Sequence, residues 1–438
     1  MSVESAPRAE GERLSLFEGF GVELEYMVVD AETLDVSPTV DRLIEDQSGE
    51  VASEVEVGEI SWSNELVLHV VELKTNGPAA ELEPLPERFQ ASVGRAGELL
   101  ERRALRLLPT AMHPWMDPAT ETRLWPHEYS RVYETYDRIF TCQGHGWSNL
   151  QSAHLNLPFA NDEEFGKLHA AIRVVLPLLP AIAASSPIAD GRVSRWRDYR
   201  MEVYRTNSAR VPEVAGLVVP EPAFSEGEYR ERIFEPMMRA MAPLDPARVL
   251  EQEFLNSRGA IARFGRGSVE IRVVDVQECP LADVAIVAAT VSALRALVEE
   301  RHASRRQQRG FDTGLLAGML RETTRHAELA GVDSKLAEAL GRRGARDAAQ
   351  VWEAVIESGV EAGTVAPLFE RPLEHLLSRG TLSTRILRAL GLTGGGEASR
   401  AGGRAAGAVP MSEAPSRQRL RAVYGELADC LAAGRLFG

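Results

Sequence analysis

Cysteine is scarce in this chain of 438 residues: Cys142, Cys279 and Cys430 are the only three, and no CxxC pairing occurs. That pattern offers no thiolate zinc site and no disulfide framework, and it suits a reducing cytoplasm. No GxGxxG follows a strand-like run and no GxxxxGK[ST] is present, so the commonest nucleotide-phosphate cradles are excluded. The segment Met1 to Arg13 is polar and lacks the apolar core of a signal peptide. Long apolar runs are few. Val174 to Ala189 is cut by three prolines, and Leu281 to Val298 carries Asp283 and Arg295, so both predict buried helices rather than membrane spans. Positive charge is also in deficit, with 49 Lys and Arg against 64 Asp and Glu and a formal net charge of −15. This balance argues against nucleic acid or an anionic membrane as the main partner. It points to small-molecule substrates and leaves a homo-oligomer open. An anionic substrate would need locally placed arginines or metal ions.

What is present centres on Gly21 to Asp30. Apolar and β-branched residues are dense there and turn-formers follow, which predicts a strand. Alternation puts Glu23 and Glu25 on one face, with Val22, Leu24, Tyr26 and Val28 on the other. An unpaired buried carboxylate costs on the order of several kcal/mol. Either that face is wet or a cation sits on it.

Three further runs repeat the theme. Glu65 to Thr75 predicts a strand carrying Glu72 and Lys74. Glu65 has the opposite parity to Glu72, so it faces inward only if it precedes the strand or a bulge intervenes. Ser152 to Leu157 alternates, with His154 and Asn156 on one face. Ser268 to Val274 offers Glu270 and Arg272 on one face. Each has a plainer reading: a solvated edge for Glu23 and Glu25, a strand-start residue for Glu65, an ion pair for Glu72 with Lys74, a core histidine for His154, and a mutual pair for Glu270 with Arg272. Together they form a hard-oxygen set with one imidazole and one amide, which favours Mg²⁺ or Mn²⁺ over Zn²⁺. Metals on such a sheet, beside an arginine, suit the triphosphate of ATP. A second feature is an arginine-rich stretch read as a loop over 185–222, holding Arg192, Arg195, Arg197, Arg200, Arg205 and Arg210. Its guanidinium forks suit carboxylate or phosphate.

Residues 33–63 read as polar and irregular, 80–107 as a long amphipathic helix and 301–392 as charged helices. The expected organisation is a loose tail over 1–15, a catalytic region over 16–300, its helical continuation over 301–392, a Gly-, Ala-, Ser- and Arg-rich linker over 393–415, and a terminal helix within 416–438 that docks back.

The motifs Gly21-Val22-Glu23-Leu24-Glu25, Val71-Glu72-Leu73-Lys74-Thr75, His113-Pro114, Ala153-His154-Leu155-Asn156, Ala184-Ser185-Ser186-Pro187-Ile188-Ala189-Asp190-Gly191 and Ser268-Val269-Glu270-Ile271-Arg272-Val273-Val274-Asp275-Val276-Gln277 stand in one order. In that order the chain resembles the glutamate–cysteine ligase type 2 family, the carboxylate–amine ligases, over about residues 18–300. The resemblance implies an α+β, glutamine-synthetase-like fold, with a curved, mainly antiparallel sheet forming a funnel and helices packed behind. It implies ATP and Mg²⁺, with Mn²⁺ as a substitute. By position it implies Glu23, Glu25, Glu65, Glu72, His154 and Glu270 as metal ligands and Glu72, Glu270 and Arg272 in catalysis. Lys74, Asn156, Arg200 and Arg205 are the candidates for holding the nucleotide. The implied reaction forms an amide between a carboxylate, glutamate's γ-carboxylate in the best-known members, and an amine such as cysteine's, through an acyl phosphate. A phosphotransferase on the same sheet and a non-catalytic scaffold are the alternatives. Glu270→Gln is expected to remove turnover while sparing the fold.

Overall fold

The computed structural model describes residues 13–392 and 414–438. Nearly all of the expected tail and linker lies outside the described residues.

The organising strand forms where alternation places it. Strand β1 is Gly21–Asp30, and Val22 to Val29 are all buried. Three more strands precede the first long helix: β2 (Glu54–Val57), β3 (Ile60–Asn64) and β4 (Val70–Thr75). They are followed by β5 (Leu105–Leu108), β6 (Ser152–Pro158), the short hairpin β7 (Ile188–Ala189) and β8 (Arg192–Val193), then β9 (Ala260–Arg263) and β10 (Ser268–Asp275). The main sheet runs β2-β3-β4-β1-β6-β10-β9, with β5 pairing the far end of β1. Every pairing in it is antiparallel.

Register decides which side chains share a face. Glu23 lies opposite Lys74 on one side and His154 on the other, Glu25 lies opposite Glu72, and Glu270 lies opposite Asn156. The intervening residues Leu24, Leu73, Leu155 and Ile271 fall on the reverse face, in the hydrophobic core. Helices cover that reverse face. Trp62 of β3 donates its indole N–H to Ser92 Oγ, in the helix Leu85–Glu101, at 2.7 Å. The helix Pro280–Val298 packs against Leu85–Glu101 and Asp162–Val175. It is apolar around most of its circumference and 78% buried, as a central core helix should be. Among the described residues it alone is long and apolar enough to cross a membrane. The terminal helix Arg417–Ala433 lies against β5 and Leu85–Glu101, where Gln90 Nε2 donates to the Leu431 carbonyl at 2.9 Å.

Three expectations need correction. Residues 33–63 are not irregular, for they hold the helix Val40–Ser48, β2 and β3. Their serines and glutamates masked short strands whose pairing supplies the order. The run Glu65 to Thr75 is not one strand: β3 ends at Asn64 and β4 begins at Val70, so Glu65 lies in the connection. The stretch 185–222 is not a loop throughout, because the hairpin β7–β8 and the helix Tyr199–Asn207 fall inside it. Asp198 caps that helix by accepting from the Met201 N–H at 2.9 Å.

A bulge interrupts the regular pairing of β10. Ile271 pairs with Leu155 and Val274 with Ala153, so Arg272 and Val273 both stand opposite His154. The extra residue reverses the alternation, and Asp275 joins Glu270 and Arg272 on the polar face, opposite Ser152. Gly259 makes room for it. A Cβ there would stand 2.5 Å from Val273 Cγ1 and 3.1 Å from Val218 Cγ1. The Arg272 N–H also donates to the Gly259 carbonyl at 2.9 Å. Gly259→Ala is therefore expected to cost about 1–3 kcal/mol, measured as a lower urea midpoint at unchanged m. Wild-type stability would show that the bulge does not depend on this close approach.

Candidate active site

The polar face of the central strands carries a connected cluster of charges. Glu23 Oε2 meets His154 Nδ1 at 2.8 Å, and Glu23 Oε1 accepts from Asn156 Nδ2 at 3.0 Å. The approach of Asn156 is close: a Cβ at Gly21 would stand 2.9 Å from Asn156 Cβ. Glu25 Oε2 accepts from the Ser152 N–H at 2.7 Å and from Ser152 Oγ at 3.0 Å. Ser152 Oγ, its proton turned toward Glu25, is left to accept from His154 Nε2 at 2.9 Å. Both imidazole nitrogens thus face acceptors. Burial disfavours charge on His154, but the Glu23 hydrogen bond and the Glu25 carboxylate outweigh it and raise its pKa. Burial likewise works against the Glu23 carboxylate, but His154 brings its pKa down to about 2. For Glu25 burial wins and its pKa is raised.

Glu72 is fully buried. Its Oε1 accepts from Ser63 Oγ at 2.8 Å and lies 3.5 Å from Lys74 Nζ, which also pairs with Glu54 at 2.8 Å. Its Oε2 has no hydrogen-bond partner among the described residues. Glu270 lies between two arginines: Arg263 Nε is 2.5 Å from Oε2 and Arg272 Nε 3.0 Å from Oε1. Burial would raise its pKa, but Arg263 and Arg272 hold it below the usual carboxylate range. Glu65 is buried at the edge of the cluster, and its Oε2 accepts from the Leu66 N–H at 3.3 Å.

Two sets of ligand atoms converge here. Glu23, His154 and Glu270 form one; Glu25, Glu72 and His154 form the other; within each, the atoms lie no more than 4.8 Å apart. The five carboxylates of the cluster outnumber Lys74, Arg263 and Arg272 by two, and by one when a proton on His154 is added. A hard divalent cation fits this donor set, this charge deficit and the orphaned Glu72 oxygen.

Beside the cluster lies a small cavity of about 80 Å³. Glu25, Glu65, Ser152, His154 and Arg272 form its polar floor, and Leu66, Val67, Val70, Trp147 and Leu150 form an apolar wall. The helix Tyr199–Asn207 closes it with Arg200, Tyr204 and Asn207, at the helical spacing i, i+4 and i+7.

The structure thus gathers Glu23, Glu25, Glu65, Glu72, Lys74, His154, Asn156, Glu270 and Arg272, with Arg200 in the cavity wall. Arg205 is a correction. It sits off the inward face of its helix and pairs with Glu202 at 2.8 Å, with 35% of its side chain exposed. Arg210 turns away to the Ile139 carbonyl. Among the residues the sequence did not single out are Arg263, Asp275, Ser152 and Trp147. Of these, Arg263 carried a signal, as a charge in the apolar run Ala260 to Arg263.

A family model described as glutamate–cysteine ligase family 2 matches residues 19–409 of the chain. An uncharacterised protein of Archaeoglobus fulgidus is 38% identical over 283 residues, which is 64% of this chain and 75% of that protein. Among solved structures, a bifunctional glutathione synthetase from Pasteurella multocida aligns with a TM-score of 0.57 at 15% identity, over 95% of this chain. The chain spans only 53% of that longer protein. A glutamate–cysteine ligase from Francisella tularensis, in complex with AMP, aligns with a TM-score of 0.51 at 13% identity, over 95% of this chain and 92% of that one. At such identities the two structures show a shared fold.

Two outcomes follow from the geometry. Glu270→Gln strands the buried Arg263 and the largely covered Arg272, so it is expected to cost about 3–5 kcal/mol rather than spare the fold. Thermal unfolding measures this, and an unshifted Tm would mean that Arg263 and Arg272 find other counter-charges. Mg²⁺ or Mn²⁺ must also displace the proton that Glu23 and Glu25 favour on His154. Metal affinity is therefore expected to rise with pH, and to go on rising above the ordinary imidazole range because the His154 pKa is raised; His154→Gln should flatten that rise. Calorimetric titration reads both, and a pH-independent wild type would remove His154 from the ligand set.

Proposed function

The chain belongs to glutamate–cysteine ligase family 2, and on that premise we propose that it is an ATP-dependent carboxylate–amine ligase. Its acid substrate is glutamate, activated at the γ-carboxylate, and its amine is an amino acid such as cysteine. The observation that carries this reading is the pair of ligand sets meeting at His154 on a single sheet face. A triphosphate cannot approach five carboxylates unless cations stand between them. In this reading Glu23, Glu25, Glu72, His154 and Glu270 hold Mg²⁺, or Mn²⁺ in its place, with Glu65 at the rim. Bound there, a metal would supply the positive charge that offsets the phosphates of the nucleotide.

The remaining work falls to residues already in position. A carboxylate oxygen of the acid attacks the γ-phosphorus, and the bond to ADP breaks. The amine nitrogen then attacks the acyl carbon, the C–O bond to phosphate breaks, and the proton lost by nitrogen leaves with the phosphate. Arg272 is permanently charged and oriented by Glu270, so it can meet the charge that develops on the transferring phosphoryl group without reorganising. Arg263 acts through Glu270 by fixing it from the other side. Lys74 and Asn156 border the phosphate path and hold Glu72 and Glu23 in place. Leu66, Val67, Trp147 and Leu150 keep water from the activated acyl group. In this reading the funnel implied by the resemblance is the approach to the polar face.

The test is incubation with ATP, Mg²⁺, L-glutamate and a panel of amines. Phosphate release is expected only with both co-substrates present, with an amide as product. Glu72→Gln is expected to lower kcat by roughly 10²–10³-fold with the fold retained. Phosphate release indifferent to every amine would instead indicate a phosphotransferase. Absence of any thermal shift with ATP and Mg²⁺ would indicate a scaffold.

A further inference from the structure

Asp275 takes no part in the chemistry above, yet it is fully buried beside the site. Its Oδ2 accepts from the Ser185 N–H at 2.8 Å and from Ser186 Oγ at 3.0 Å, and its Oδ1 from Arg200 Nε at 2.5 Å. Ser186 Oγ in turn accepts from the Arg200 backbone N–H at 3.1 Å. Both ends of Arg200 are therefore tied to one carboxylate. The neighbouring Asp198 does not compete for this arginine. Its own burial, together with the nearby Asp275 charge, raises its pKa well above the usual carboxylate range.

The other edge of the guanidinium is only loosely engaged. Among the described residues Nη1 and Nη2 reach a single acceptor, the Arg272 carbonyl, at 3.3 and 3.4 Å. The Nη1–Nη2 edge is thus held by one carbonyl at long range, and a carboxylate, which matches that edge with two oxygens, can take its place. Arg200 lines the cavity together with Tyr204, Asn207 and Arg272. Asn207 Oδ1 is buried there without a hydrogen-bond partner among the described residues. The cavity volume of about 80 Å³ is roughly half of the ~150 Å³ that admits a benzene ring. It has room for a group of a few heavy atoms, such as a carboxylate.

We propose that Asp275 is a positioning residue: it holds Arg200 so that the weakly held Nη edge serves this cavity, where the guanidinium binds the second carboxylate of a dicarboxylic acid substrate, the one that is not activated. The bulge in β10 makes this arrangement, because without the extra residue Asp275 would point into the opposite face. The inference rests on the ligase reading and adds to it a specific recognition element for the acid.

The test is steady-state phosphate release by the full chain with ATP, Mg²⁺ and an amine accepted by the wild type, with L-glutamate and 4-aminobutyrate compared as acids. The second of these lacks the α-carboxylate. Asp275→Asn is expected to raise KM for L-glutamate by about tenfold or more while KM for ATP stays within about twofold. The preference for L-glutamate over 4-aminobutyrate should collapse in step. In an Arg200→Met background, Asp275→Asn should add nothing further. If Asp275→Asn does not fold, Ser186→Ala keeps the charge pair but loosens it, and a rise of about two- to fivefold in KM for L-glutamate alone is expected. Unchanged KM for L-glutamate in a folded variant, or equal rises for both substrates, would overturn the inference and leave the ligase reading standing. A wild type that releases no phosphate in response to L-glutamate would contradict the ligase reading itself, and the inference with it.

Discussion

Carboxylates of like charge do not share a dry surface unless positive charge arrives with them. The polar face of this sheet obeys that constraint in two ways. Glu270 is answered from within the protein by Arg263 and Arg272, and Glu72 in part by Lys74. Glu23 and Glu25 are answered by a single imidazole that both of them charge. The first kind of pairing is permanent. The second is exchangeable, because a proton on His154 and a divalent cation are alternative occupants of the same electrostatic well. In the ligase reading the cluster is thus partly neutralised from within the protein and still short of positive charge, which a bound cation would supply.

Strand register turns that local chemistry into a site. Glu23, His154 and Lys74 come from three strands far apart in sequence, and they meet because antiparallel pairing sets them on one rung. The core beneath makes the register costly to shift. A slip of one residue would bury glutamates against the helix Pro280–Val298 and expose Leu24 and Leu155. The same packing ties the far end of the chain to the site. Arg385 and the Phe437 N–H converge on Glu278, three residues beyond Asp275, so the segment that follows the terminal helix braces the end of the strand that carries Glu270 and Arg272.

Much of this was legible from alternation alone. Glu23 with Glu25, His154 with Asn156 and Glu270 with Arg272 each lie two apart in strand-like runs, and period-two geometry needs no tertiary information. The parity conflict between Glu65 and Glu72 also had its resolution in view, since Glu65 precedes β4. What escaped was whatever depended on a break in periodicity. Alternation from Arg272 sends Asp275 to the apolar face, and only the bulge, set by Gly259 across the strand, reverses it. The helix Tyr199–Asn207 was hidden by its arginines, which read as a loop because charge was more conspicuous than the Arg200, Tyr204, Asn207 spacing. Arg200 and Arg205 looked equivalent for the same reason, and helical geometry separates them. Ser61, Trp62 and Ser63 gave no strand signal, as their burial comes from neighbouring strands rather than from their own polarity.

The account stands on cation binding at the His154 cluster. The most direct measurement is anomalous diffraction from crystals soaked with Mn²⁺ and a non-hydrolysable ATP analogue. The account predicts manganese peaks within bonding distance of carboxylate oxygens from Glu23, Glu25, Glu72 or Glu270 and of a His154 nitrogen, with the phosphates on the outer side of the metal. Full nucleotide density with no anomalous signal at these residues, or manganese bound only elsewhere, would contradict it.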